Sequence, residues 1–107
     1  MIPMPRKVMI AGHPWKILRK PARAMYFEGA KCRGLCIPDR YEIWLYRGLV
    51  LTAAQEYLVH ELLHACVSSF VGNRNRMTEE VFVDGAAKPI VAMLRDNPRL
   101  VAYLTQK

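Results

Sequence analysis

The sequence predicts an α+β fold: a small, mostly antiparallel sheet of three or four strands, then helices, in one domain over residues 1–107. Two observations carry this. Residues 1–51 are short apolar runs punctuated by Gly, Pro and Asp, the pattern of strands and tight turns, so this half reads as β-rich. From Thr52 the pattern changes, and no Gly or Pro interrupts the chain until after Val71, so residues 52–107 read as helical. A chain of 107 residues supports one core and not two.

Taken in order, "KVMIA" and "WKILRK" flank "GHP", which reads as a hairpin or tight corner. "PARAMYFEGAKCR" reads as a connection containing a short strand. "GLCIP" and "YEIWLY" then flank "DR" as a second strand pair. "TAAQ" matches a capping box, with Thr52 as N-cap and Gln55 reaching back to its amide, so a helix is expected over about 53–70. "GNRNR" breaks it. "TEE" opens a second helix with Thr78 as N-cap and acidic residues in the first turn, where the helix dipole favours them. Pro89 is expected to kink that helix or divide it near Gly85, and "RDNP" to end it at about Asp96. "PRLVAYL" reads as a short last helix starting at Pro98.

The net charge is +7, and all of the excess lies in the first half. Such a surface favours an acidic partner, nucleic acid included, through a field that needs no specific contact. No apolar run approaches the roughly 20 residues of a membrane span, and the N-terminal stretch lacks a signal-peptide core, so a cytoplasmic protein without membrane association is expected. Cys32, Cys36 and Cys66 cannot all pair within the chain and read as reduced thiols. Cys32 and Cys36 have the spacing of half a metal site. With no second Cys or His pair to complete it, they read as small apolar residues in or near a strand.

The chemistry concentrates in "VHELLHA". Four residues apart on a helix, His60 and His64 face the same way and can direct imidazole nitrogens at one ion. Glu61, rotated by about 100° per residue, reaches water at that ion more readily than the ion itself, and reads as a general base. A core helix with two satisfied histidines is the alternative. It fits poorly, because Leu58, Val59, Leu62, Leu63, Cys66 and Phe70 already supply an apolar side. One zinc ion is therefore expected, with a third ligand from elsewhere. Apart from His13, no histidine is left to supply it. Glu80 is the first candidate and Asp84 the group that would orient a ligand histidine, on a stripe continued by Ala87 and Val91 that is expected to point inward. Glu79 competes, because its face includes Val83, Ala86 and Ile90.

"HELLH" followed by "EVFVD" resembles the gluzincin type of zinc metallopeptidase, in which a second helix gives a glutamate ligand and, four residues on, an aspartate. The stretch from "GLCIPDRYEIWLYRG" into "HELLHA" is similar to small cytoplasmic metallopeptidases of ImmA/IrrE and SprT-like type, and to metallopeptidase-like proteins of phages and prophages. The resemblance implies a minimal zincin-like fold and peptide-bond hydrolysis of a protein or peptide substrate. It also implies an oxyanion-stabilising side chain, for which Tyr41, Tyr46, Tyr57 and Tyr103 are candidates. The substrate is expected to lie extended on a sheet edge provided by "YEIWLY". Two alternatives stand beside this: a regulatory or nucleic-acid-associated module keeping a zinc site with little proteolysis, and hydrolysis of other amides.

Overall fold

The computed structural model describes the backbone of residues 1–70 and 79–107, and the side chains of 1–69 and 85–107. Its architecture is a small α+β fold with a four-stranded, mostly antiparallel sheet and three helices among the described residues. The proposed caps and linker between Val71 and Thr78 lie outside them.

Strands β1 (Lys7–Ile10) and β2 (His13–Lys20) form a hairpin in which Ile10 faces His13. The turn is Ala11–Gly12, with φ of 50° and 78°. Two left-handed residues in succession match the twist of the flanking strands, which is why a glycine stands second. The corner expected at "GHP" is thus displaced, and His13 and Pro14 belong to β2. The connection that follows folds into its own ribbon, β3 (Tyr26–Phe27) and β4 (Ala30–Lys31). Strands β5 (Gly34–Ile37) and β6 (Glu42–Tyr46) pair antiparallel through a 3-10 turn at Pro38–Arg40.

The sheet order is β1-β2-β6-β5, with β6 parallel to β2. "YEIWLY" is therefore an interior strand, which corrects the expectation that it provides a sheet edge. The edge beside it is β5.

Alternation sorts the sheet into two faces. Val8, Ile10, Trp15, Ile17, Ile43 and Leu45 are buried and pack on the helices. Each fully buried aliphatic side chain of this kind contributes about 1.5–3 kcal/mol relative to exposure.

Helix α1 spans Leu51–Phe70, and the Ala54 amide already donates to the Val50 carbonyl at 2.9 Å. Thr52 is thus inside the helix and not its cap. Gln55 does not reach back either; its Nε2 donates to the carbonyls of Tyr103 (2.9 Å) and Gln106 (3.0 Å) at the end of the last helix. A distant pair of unsatisfied carbonyls outcompeted the local capping pattern.

Helix α2 runs unbroken from Glu79 to Asp96 with Pro89 inside it, so the division near Gly85 does not occur. Its described inward stripe is Ala86, Ile90 and Met93, while Ala87 is exposed and Val91 is 45% exposed. The stripe of Ala87 and Val91 thus faces solvent, contrary to expectation. Helix α3 (Pro98–Thr105) starts at Pro98 as expected and buries Leu100 and Tyr103. Between the two helices, Asn97 accepts from the Met9 amide at 2.9 Å and donates to the Met9 carbonyl at 3.0 Å and the Met93 carbonyl. One side-chain amide thereby occupies the outer edge of β1 as a neighbouring strand would. No described helix is long and apolar enough to cross a membrane.

Candidate metal centre

Helix α1 buries the stripe Ala54, Leu58, Glu61, Leu62 and Ala65. Glu61 is the exception on that stripe, a carboxylate only 6% exposed among apolar neighbours. His60 and His64, one turn apart, sit on the exposed side, His60 with a side chain 65% exposed. Val59 and Leu63 are also exposed, at 39% and 42%, which corrects their assignment to the apolar core side. They give the histidine pair an apolar rim.

The three functional groups converge. The ligand atoms of His60, Glu61 and His64 lie within 4.8 Å of one another, the one such cluster among the described residues. The imidazoles meet edge to face with centroids 4.9 Å apart, and His60 Nε2 is 4.0 Å from Glu61 Oε2. Donors bound to one ion at about 2.0–2.2 Å lie within about 4 Å of each other, a little closer than the 4.8 Å that spans this cluster. Imidazole nitrogens paired on one helix face are a donor set that could hold a transition-metal ion.

Burial pushes the Glu61 carboxyl above the ordinary glutamate range, and the adjacent His60 partly offsets this. A carboxylate whose charge is poorly solvated holds a proton more readily.

The close neighbour of Glu61 is Gly34, the first residue of β5. A Cβ there would lie 2.7 Å from Oε2 and 3.1 Å from Cγ of Glu61. The missing side chain is the space the carboxylate occupies. Gly34 was not among the residues singled out by sequence, although a glycine at a strand start is a signal of close approach. Cys32, two residues earlier, is close enough for the Glu61 charge to add to burial in raising its thiol pKa.

The remaining candidates separate. His13 stacks on Tyr41 with ring centroids 3.6 Å apart and is not part of the cluster. Tyr103 is 3% exposed in the core, which removes it from the oxyanion candidates. Tyr41 is held between His13 and the edge of Trp15, Tyr46 lines a cleft with Lys31, Cys32 and Arg33, and Tyr57 packs on the core. The side chains of Glu79, Glu80 and Asp84 lie outside the described residues. No family model, curated protein or solved structure matches this chain, so the reading of the site rests on the chemistry of its own residues.

Proposed function

We propose that this chain is a zinc-dependent metallopeptidase of zincin-like fold that hydrolyses peptide bonds with Glu61 as general base. The observation that carries the reading is a buried carboxylate beside two exposed, convergent imidazoles on one helix. His60 and His64 would hold the ion, with a carboxylate from the start of α2 as third ligand: Glu80 by its spacing to Asp84, the partner that would orient a histidine, or Glu79, which shares its helical phase with the inward-facing Ala86 and Ile90. Zinc at such a site supplies Lewis-acid polarisation of a carbonyl and lowers the pKa of water. Glu61 takes the proton from the attacking water and passes it to the leaving amine.

A substrate backbone finds its place along β5. Arg33 bonds to Tyr46 across the β5–β6 ladder, so alternation turns the peptide groups of Gly34 to the side of β5 that no described strand pairs with, beside Glu61. Main-chain pairing there presents a scissile bond without demanding much sequence, and Val59 and Leu63 favour an apolar side chain next to it.

The test is metal analysis together with cleavage of an unfolded protein pool by the native chain and Glu61→Gln. About one zinc in both proteins, and cleavage reduced at least 10²-fold in the variant, is expected. Equal cleavage by both removes Glu61 from the mechanism. Stoichiometric zinc with no cleavage by either favours the regulatory, nucleic-acid-associated reading.

A further inference from the structure

The sheet face away from the helices carries a pattern that the metal centre does not use. By alternation, Lys7, Lys16, Lys20 and Arg33 share it with Trp44 and Tyr46, while Glu42 is its one acidic residue. None of these side chains is buried, and Leu18 and Leu35 fill the row on either side of Trp44.

Two features of this face point to an anionic, aromatic ligand. Lys7 and Lys16 are directly opposite in a non-hydrogen-bonded pair, where side chains come closest and like charges destabilise the sheet. Among the described residues no carboxylate forms a salt bridge with either of them. Glu42 lies beside Lys16 on β6, but its carboxylate accepts from the Trp44 indole and forms no ion pair with the lysine, so a bound anion would offset the repulsion that remains. Trp44 is also already an acceptor of cationic and polar company, with Lys20 Nζ 4.4 Å from its ring centroid and its indole N–H donating to Glu42 at 2.9 Å. Its ring and that of Tyr46 stand two residues apart on one strand, about 6.6 Å along the chain.

We infer that this face binds single-stranded nucleic acid, with Trp44 and Tyr46 stacking successive bases and Lys7, Lys16, Lys20 and Arg33 tracking phosphates. The combination of a basic track and unburied rings on an interior strand is the chemistry of a sequence-tolerant single-strand platform. A second copy of the chain is disfavoured because four cations on the face would meet four more. A duplex is disfavoured because its bases are not available to the rings. The inference does not depend on the zinc reading.

The test uses the full chain and fluorescein-labelled oligothymidylate and oligouridylate, read by anisotropy and by tryptophan quenching at low and near-physiological salt. Trp15 is 2% exposed, so quenching reports Trp44. Native protein should bind, with quenching and an affinity that falls with salt. Trp44→Ala should weaken binding about 5- to 100-fold while Trp44→Phe, which keeps a stacking ring, stays near native. Lys16→Glu should weaken binding and shallow the salt dependence. Binding without quenching, an undiminished affinity for Trp44→Ala, or equal displacement by a duplex or by polyglutamate overturns the inference. No binding at low salt also overturns it, as does a native dimer that Trp44→Ala converts to monomer.

Discussion

Substituting Gly34 by alanine isolates the contact on which the site depends. Gly34 does not have a positive φ, so alanine meets no backbone strain there. Its Cβ would stand 2.7 Å from Glu61 Oε2, against an optimum of about 3.5–4.0 Å for nonbonded heavy atoms, with Cγ and Cδ at 3.1 and 3.2 Å. Three atoms of one side chain are crowded at once. The cheapest relief is rotation of the carboxylate, because it is the far end of a flexible chain while Gly34 is tied into the β5–β6 ladder. The fold therefore survives, and the Glu61 carboxylate moves.

Crowding of this kind costs about 1–3 kcal/mol. Loss of glycine's freedom in the unfolded chain offsets about 0.4–1 kcal/mol of it. Gly34→Ala should thus be between neutral and about 2.5 kcal/mol less stable. In a Glu61→Ala background the clash is gone, and the same substitution should be neutral to stabilising. A double-mutant cycle by urea denaturation should give a coupling of about 1–3 kcal/mol. If the substitution has the same effect in both backgrounds, the close approach of Gly34 and Glu61 is not as described. Peptide cleavage by Gly34→Ala should fall about 10- to 100-fold with zinc content unchanged, because the base moves and the histidines do not. Unchanged cleavage would refute the positioning argument even if the coupling were found.

His60→Ala and His64→Ala should each lose most bound zinc on dialysis, and retention by both would relocate the site. In a zinc titration Glu80→Gln should cost more than Asp84→Asn, which should weaken affinity roughly 10- to 100-fold; a large loss with Glu79→Gln alone would move the third ligand there. Asn97→Ala removes three hydrogen bonds and bares the edge of β1, so it should destabilise the chain by about 1–3 kcal/mol, measured by thermal unfolding, with Asn97→Asp no substitute because it cannot donate to the two carbonyls. Burial raises the Tyr103 pKa, with Arg19 pulling it down in part, so the folded state holds that proton more tightly than the unfolded chain does. Stability from this source is present below about pH 10 and is lost as pH rises above it. The alkaline fall in stability should be shallower in Tyr103→Phe, and identical slopes would show that Tyr103 does not contribute.

Much of the fold was legible because its signals are local. The helix through "HELLH", the last helix at Pro98 and both strand pairs follow from runs and turns a few residues long. Pairing order was not, because nothing within "YEIWLY" distinguishes an interior strand from an edge strand; the insertion of β6 beside β2 is decided by contacts across the sheet. The capping box at Thr52 failed for the same reason, with Gln55 engaged by Tyr103 and Gln106 some fifty positions away. At the site, the spacing of His60 and His64 carried their convergence. Helical phase misled at α2, where Ala87 and Val91 read as well on an inward stripe as Ala86 and Ile90 do, and only packing against α1 and β1 separates them.

The parallel placement of β6 between β2 and β5 also orders the folding of the chain. Each hairpin closes over a short loop, but neither sheet edge can be extended strand by strand, since the interior strand comes last. Pairing of β6 with β2 brings Ile17 and Ile43 together across the whole β3–β4 connection. Loop closure over that span is costly before any contact rewards it, so this meeting is the expected rate-limiting event. Ile17→Val and Ile43→Val should slow refolding in stopped-flow experiments, and an effect confined to the unfolding rate would argue against that order. Gly34 and Glu61 lie within thirty residues of each other, on the arriving hairpin and the helix that follows it. The buried carboxylate and the glycine that makes room for it are thus encoded in one contiguous stretch, which the first hairpin meets through the pairing of β2 with β6.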